Sequence, residues 1–575
     1  MKVWKTIPGD GPLAIQLAGA LDLPLPVAEI LMGLGYRDMT EIERFLNPRL
    51  SELSDPFLLP DMDPAARRIQ KAILADESIA VYGDYDVDGI VGAALLVQVL
   101  HRLGARRVAP CLPSRQGEGY GLSPAALKRC IAQCKPSLLI TVDCGANDAA
   151  AIGLAQKAGI DVVVTDHHES GGRKVEALAV VNPKLGRIDN LKILAGVGVV
   201  FKLCHGLLKI GRNQGLGAAQ TVDLREYLDF VAVGTVADIV PLTGENRILV
   251  RHGLSRMNQS LAPRWKSLVD IAGIRGAIDA HHIGYGLAPR LNAAGRMGNA
   301  DTSLELLLTD DMARAHEIAV ELDGANRARQ KIESEIVAEA MREIDATFNA
   351  REHYGLVIAK TGWHAGIIGI VASRLAARYR RPVVVVAFGP DSAKGRDGVG
   401  RGSCRSIEGY HILKGLEQCR QYLLTYGGHE MAAGLDIHKD QYESFQKAFG
   451  EAVKVELQGR DLRPTQRINA WITLDQADDA LLAAMAALHP FGQSNPAPVL
   501  AVRGARIQGE PRRVGVNHLR FTVGDGRTSR PAIAFRMADI AIPAGPLDVA
   551  FTFQKNSFMG RETLELNVQD IRKTE

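Results

Sequence analysis

Cysteine is scarce in this sequence. There are seven among 575 residues, at Cys111, Cys130, Cys134, Cys144, Cys204, Cys404 and Cys419, and none forms a C-x-x-C pair. A scattered, odd set argues against a disulfide framework or a structural zinc site and fits a reducing cytosol. Cys130 and Cys134, one helical turn apart, read as two isolated core thiols. An excess of charge of one sign is also lacking: 68 basic residues face 65 acidic ones, for a net charge of +3. A nucleic-acid enzyme on such a chain must concentrate its positive charge locally. Long apolar runs are missing too, the most apolar short stretch lying at 382–388, so no membrane span is expected. The start Met1-Lys2-Val3-Trp4-Lys5 lacks the apolar core of a signal peptide, and a cytoplasmic protein is expected. No long polar or repeated segment predicts disorder, and no Walker loop predicts ATP use.

What is present is the composition of a globular chain, 46% hydrophobic and 23% charged, long enough for several domains. Residues 1–60 read as an irregular segment rich in Leu, Pro and Asp. Apolar strands are then predicted at 78–82, 137–142, 161–165 and 178–181, with helical patterns between them. Buried strands alternating with helices predict a parallel α/β sheet. A long amphipathic helix is predicted over 311–345 as a connector, despite the turn-like Asp323-Gly324 within it. A second α/β unit follows, with strands at 355–358 and 383–388 and a helix over 366–379. Beyond 465, short strands at 499–507, 518–523, 532–535 and 547–553 alternate with Gly-rich turns and predict a small OB-like β-barrel. Ala195-Gly196-Val197-Gly198 looks like half of a dinucleotide fingerprint but lacks its third glycine position, and reads as a tight turn.

The chemistry lies at the strand ends. Asp84, Asp86 and Asp88 alternate after the first strand, Asp143 closes the second, and Asp166 closes the third, followed by His167 and His168. Asp238 lies further on. In such sheets ligands bind beyond the carboxyl ends of the strands. Carboxylates gathered there repel one another, and a divalent cation relieves that repulsion. Oxygen ligands with one or two imidazoles suit Mn²⁺ or Mg²⁺, and a pair of such ions suits phosphoester hydrolysis. Any one of these residues alone would read as a helix cap or a surface group.

Gly-Asp-Tyr-Asp-Val-Asp-Gly (83–89), Thr-Val-Asp-Cys-Gly (141–145), Thr-Asp-His-His (165–168) and Gly-Thr-Val-Ala-Asp (234–238) resemble, in order, the four motifs of the DHH phosphoesterases. Within that superfamily the sequence most resembles the RecJ exonucleases. The further matches are Pro113-Ser114-Arg115 with 118–122, Pro289–Arg296, Gly427–Gly434, and Pro490-Phe491-Gly492 with Asn495-Pro496. The resemblance implies a DHH phosphoesterase domain over 61–310, the connecting helix at 311–345, a DHH-associated substrate-binding domain over 346–455, and an OB-like nucleic-acid-binding domain over 456–575. It implies a single-stranded-DNA-specific 5′-to-3′ exonuclease that releases 5′-mononucleotides, with two ions, Mn²⁺ or Mg²⁺, activating water and no covalent intermediate. Asp86, Asp88, Asp143, His167 and Asp238 would be metal ligands, with Asp143 bridging. Asp84 and Asp166 would bind metal or orient the ligands, and His168 would assist the leaving oxygen.

On the substrate side, Arg115, Arg290, Arg296 and Arg405 are candidate phosphate contacts, because a guanidinium grips phosphate through paired hydrogen bonds. Tyr120 and Asn292 are carried over from the shared motifs. A turn at Ser403-Cys404-Arg405-Ser406, together with His429, would hold a terminal phosphate. Arg512, Arg513, His518, Arg520 and Lys555 would give the OB-like region a positive surface for single strands. By family analogy the partners are single-stranded DNA, single-strand-binding protein and a RecQ-type helicase, in DNA repair and recombination. Two other readings stand beside this one: a hydrolase of short RNAs or cyclic dinucleotides, and a non-catalytic scaffold like the Cdc45 relatives.

Overall fold

The computed structural model describes residues 2–7, 11–113, 121–172, 175–297, 300–389, 398–540, 542–558 and 561–574. The chain forms two compact units. One comprises 55–238 and 253–462; the other comprises 1–54, 239–252 and 463–575.

The first unit begins with a five-stranded parallel sheet. Its order is Val108–Cys111, Ile79–Gly83, Leu138–Val142, Asp161–Thr165 and Ala179–Val181. Ile79–Gly83 and Leu138–Val142 are buried throughout, as strands covered by helices on both faces must be. Successive connections leave Ile79–Gly83 in opposite directions, which opens a crevice at the carboxyl ends of the strands. Register then places the chemistry. Gly83 pairs with Val142 and Val142 with Thr165, so Asp84, Asp143 and Asp166 are the next residues of three adjacent strands. The edge strand Val108–Cys111 was not legible in the sequence: it is four residues long, only partly buried, and contains Pro110.

The connecting helix runs Met312–Thr347, 36 residues or roughly 54 Å, with Asp311 capping its first turn. Gly324 does not interrupt it. Ile336, Ala340 and Ile344, in its second half, enter the core of the next sheet with Leu356, Ile368 and Val371. That sheet runs Thr425–Gly428, Ala432–His438, Val399–Arg405, Val383–Phe388, Leu356–Thr361. The expected turn at 403–406 is instead the end of a strand. Cys404 is fully buried there and packs with Val384, Val386 and Phe445. Gly428 has φ +145°, and a Cβ on it would lie 2.5 Å from the Ala432 carbonyl, so only glycine closes this hairpin.

In the second unit the N-terminal segment is not irregular. Val3–Thr6 pairs in parallel with Thr465–Ile468, and helices follow at Gly11–Leu21, Leu25–Gly33 and Met39–Leu46. These helices are short and punctuated by proline and glycine. Their apolar faces (Leu17, Ile30, Leu31, Phe45) find a core only with Leu481, Leu500 and Phe551, more than 400 residues away. A local pattern carries no trace of that packing. Arg247, 1% exposed, fastens this core by donating to the carbonyls of Phe45, Ala487 and Leu488. The C-terminal strands close on themselves: Leu500–Val514, His518–Gly524, Ser529–Phe535, Arg561–Lys573, Leu547–Phe558 and back to Leu500–Val514. This is a ring of five strands, a β layout in keeping with the OB-like expectation. Among the described residues, no single helix is long and apolar enough to cross a membrane.

Candidate metal centre

The helix Val87–Arg102 starts directly beyond the first strand, and its entry is fixed by its own acids. Asp86 Oδ1 accepts from the amides of Asp88 (3.0 Å) and Gly89 (3.3 Å), an N-cap. Gly89 must lack a side chain, because a Cβ would lie 2.5 Å from the Asp84 nitrogen. Asp88 turns inward. Its oxygens accept from the amides of Gly196 (2.6 Å) and Val197 (2.9 Å) at the start of the helix Gly196–Asn213. The supposed tight turn at 195–198 is therefore a helix N-terminus holding a carboxylate, a placement its dipole favours. Each oxygen keeps a further lone pair for an ion.

Asp143 sits at φ +61°, a left-handed conformation that side-chain-bearing residues rarely adopt. Its carboxylate lies beside His167, Asp84 and Asp86. A Cβ on Gly196 would lie 2.8 Å from Asp143 Cβ and 2.9 Å from Oδ1, so that glycine makes room for it. His167 Nε2 lies 3.1 Å from Asp143 Oδ1, 3.5 Å from Asp238 Oδ2 and 4.0 Å from Asp88 Oδ2. Ligand atoms converge within 4.8 Å in three overlapping sets: Asp84, Asp86 and Asp143; Asp143, His167 and His168; and Asp88, His167 and Asp238.

Asp166 behaves differently. Its Oδ2 accepts from the Ala146 amide (2.8 Å), and its Oδ1 from the amides of His167 (2.7 Å) and His168 (3.1 Å) and from His168 Nδ1 (2.8 Å). The carboxylate is fully engaged in shaping the loop and orienting the His168 ring. Asn182, buried and unsuspected from sequence, donates to the His168 carbonyl at 2.9 Å.

Protonation follows the burial. Desolvation, reinforced by the charge of Asp86, pushes Asp88 up to about 7. Desolvation with Asp88 and Asp86 pushes Asp238 up to about 9, and Asp84 and Asp143 are raised well above the usual carboxylate range. Burial and the neighbouring His168 hold His167 down at about 4, leaving a neutral imidazole suited to a metal. His168 is raised: burial lowers it, but the Asp166 hydrogen bond and charge outweigh that.

Does this donor set fit a divalent ion? Asp84 Oδ2, Asp143 Oδ1, His167 Nε2 and Asp238 Oδ2 are all buried and make no hydrogen bond among the described residues. Buried polar atoms are ordinarily satisfied. Four that are not, all at one sheet edge, with carboxylate and imidazole donors, match Mn²⁺ or Mg²⁺.

The substrate-side residues divide. Asn292 Oδ1 accepts from the Val87 amide (3.2 Å), and Gly295 passes so close to Tyr85 that a Cβ would lie 2.9 Å from its carbonyl. The helix Ala288–Met297 thus braces the first motif. Arg290 does not face outward: it donates to Asp323 Oδ1 (2.9 Å) and to the Gly286 carbonyl (2.6 Å), tying this helix to the connector. Arg296 donates to the Gly366 carbonyl at 3.3 Å, in the turn between the strand Leu356–Thr361 and the helix Ile368–Tyr379. Arg405 is held by Ser373 Oγ and Ser403 Oγ, both at 3.1 Å. His429 is exposed. Arg115 and Tyr120 lie outside the described residues. In the C-terminal ring, Arg513 pairs with Asp539, Arg520 with Glu565, and Lys555 with Asp479 and Glu562. Much of the positive charge expected there is thus neutralised.

Residues 78–235 match the DHH family N-terminal domain, 353–455 the DHHA1 domain, and 468–570 the RecJ OB domain. The chain is 34% identical over 578 residues to the single-stranded-DNA-specific exonuclease RecJ of Escherichia coli, covering 96% of this chain and 97% of that protein. It is 33% identical over 579 residues to the Bacillus subtilis protein of the same name, covering all of this chain and 71% of the other. The crystal structure of RecJ from Thermus thermophilus in complex with Mn²⁺ superposes with a TM-score of 0.83 at 30% identity, covering all of this chain and 80% of that one. With the three domains in the same order and a third of all residues shared end to end, the chain belongs to the RecJ family.

Proposed function

We propose that the protein is a metal-dependent exonuclease specific for single-stranded DNA, degrading it from 5′ to 3′ into 5′-mononucleotides. The observation that carries this reading is the set of four buried, hydrogen-bond-free ligand atoms on Asp84, Asp143, His167 and Asp238, at the sheet edge of a RecJ-family chain. Asp86, Asp88, Asp143, His167 and Asp238 would hold the ions, Mn²⁺ or Mg²⁺ and two in number, with Asp84 beside them. Bound there, the ions would supply an activated water and neutralise charge building on the phosphate.

The chain's own groups do the rest. Asp166 fixes the His168 ring through Nδ1, and His168 Nε2 would face the scissile phosphate. Water adds to phosphorus and releases one proton to solvent, the P–O3′ bond breaks with its electron pair staying on O3′, and protonated His168 gives its Nε2 proton to that oxygen. Arg405, steadied by Ser403 and Ser373, together with His429 would anchor the terminal phosphate, and Arg296 would contact the strand. In this division of labour 61–310 hydrolyses, 346–455 grips the nucleotide, and 456–575 binds the trailing strand. The setting is the cytoplasm, in DNA repair and recombination. A RecQ-type helicase would supply the single strand and single-strand-binding protein would coat it.

The test is digestion of a 5′-phosphorylated single strand and its duplex with Mn²⁺, using wild type beside Asp143→Ala. Mononucleotides from the single strand alone, and an inert variant, support the reading. Cleavage of dinucleotides but not long strands transfers it to the short-substrate hydrolases, and no cleavage of either transfers it to a scaffold.

A further inference from the structure

Away from the acidic centre, three thiols converge where the sequence pattern showed a pair. Cys111 ends the edge strand Val108–Cys111, while Cys130 and Cys134 lie one turn apart on the helix Pro124–Cys134. Cys111 Sγ is 3.0 Å from Cys130 Sγ and 3.2 Å from Cys134 Sγ, and the three sulfurs all lie within 4.8 Å of one another. Cys111 and Cys130 are buried and Cys134 is half-buried.

We propose that Cys111, Cys130 and Cys134 form a thiolate site for Zn²⁺, distinct from the oxygen-rich centre. Residues four apart on a helix present their side chains to one side, and the strand end supplies the third sulfur from the facing element. Three converging sulfurs define a coordination face, whereas a disulfide would use two and leave the third idle. Thiolates select Zn²⁺ over the hard Mn²⁺ and Mg²⁺ that suit carboxylates, so the two centres sort their ions by donor type. At Zn–S distances of about 2.3 Å in a tetrahedron, the sulfurs stand roughly 3.8 Å apart. From 3.0 and 3.2 Å, the two contacts of Cys111 therefore have to lengthen by roughly 0.8 and 0.6 Å, and Cys134, half-buried at the last helical residue, is placed to yield and to leave the fourth position to solvent.

The site has a structural consequence. The chain that leaves Cys111 returns to it at Cys130 and Cys134. Between them, Gly121 directs its amide toward Asp84 Oδ1 (3.5 Å) and accepts from the Tyr82 hydroxyl (3.2 Å). An ion on the thiols therefore closes a loop that reaches the acidic centre.

The experiment uses full-length, reduced, metal-stripped protein titrated with Co²⁺ as a spectroscopic substitute for Zn²⁺. Wild type is expected to develop sulfur-to-cobalt charge-transfer absorption in the near ultraviolet, saturating at one site and displaced by Zn²⁺. Cys111→Ser and Cys134→Ser are expected to lack it. Mn²⁺-dependent hydrolysis by Cys134→Ser reports that the variant is folded. No charge-transfer band in wild type overturns the proposal. So does a band that survives in Cys111→Ser, which assigns it to thiols other than this trio. An intact mass short of two hydrogens in unreduced protein, with Cys111 in a disulfide, overturns it as well.

Discussion

The amide of Gly196 donates to the Asp88 carboxylate at 2.6 Å, and the space where a Gly196 side chain would stand is filled by Asp143. One residue with no functional group thereby positions two proposed metal ligands. Gly196→Ala is expected to displace Asp143 and weaken Mn²⁺ binding and turnover about 10–100-fold, the usual cost of disturbing groups behind a metal ligand. Circular dichroism should be unchanged. Normal Mn²⁺ affinity in this variant would show that Asp143 does not depend on the gap.

Asp166 acts through His168. All of its described hydrogen bonds serve the loop or the His168 ring, and it leaves no unsatisfied buried oxygen, unlike Asp84 and Asp143. His168→Ala is expected to slow single-turnover cleavage by about 10²–10⁴-fold, the range of a positioned general acid. Asp166→Asn should be less severe, and the double variant should be about as slow as His168→Ala alone. Multiplicative effects in single-turnover kinetics would mean that Asp166 works independently of His168.

How much of this was legible beforehand follows from how local each signal is. Parallel strands buried on both faces are continuous apolar runs, so the strands ending at Gly83, Val142 and Thr165, and the acids after them, could be read directly. The α/β class followed from the same runs, and the resemblance to the DHH motifs rests on the acids, histidines and glycines at 83–89, 141–145, 165–168 and 234–238. The partner of Asp88 could not be read, because Gly196 is 108 residues away and its contribution is a backbone amide. Arg290 looked like a phosphate contact because a guanidinium grips phosphate and it lies within a family motif, yet its guanidinium is taken by Asp323, a pairing set by helix packing. The N-terminal helices were likewise hidden because their core lies far along the chain, and the thiol trio because Cys111 joins the pair only through the packing of its strand on the helix Pro124–Cys134.

Removing metal should make stability fall as pH rises. Burial, with neighbouring carboxylates, raises Asp88 to about 7 and Asp238 to about 9 from an ordinary value of 3.8. The folded metal-free protein therefore holds protons that the unfolded chain has released. Relative to the ionised cluster this stability is complete below 3.8 and is lost as pH climbs through the two folded values. Melting temperature in EDTA is expected to drop between about pH 5.5 and 9, and Asp238→Asn should flatten the slope. Added Mn²⁺ should stabilise more at about pH 8.5 than at about pH 5.5, because its ligands bind deprotonated. A flat metal-free profile would mean that the acids ionise without strain.

Arg247 offers a test of the second unit alone. Its guanidinium is buried against the Phe45 ring, 3.7 Å to the centroid, and donates to three carbonyls from the N- and C-terminal segments. Arg247→Met keeps the apolar stem and removes every donor: the Phe45 carbonyl loses its guanidinium partner at about 1–3 kcal/mol, while Ala487 keeps Arg251 and Leu488 keeps Asn495 Nδ2. With several partners lost together, the unit formed by 1–54, 239–252 and 463–575 should unfold at lower denaturant concentration. Protease sensitivity in the first 54 residues should rise with it, because the apolar faces of those helices pack into the core that Arg247 fastens. Lys at the same position should rescue little: a single ammonium lacks the planar fork that reaches Phe45, Ala487 and Leu488 at once. Near-wild-type stability of Arg247→Met would show that the apolar packing around Leu31, Phe45 and Phe551 holds the unit without its buried cation.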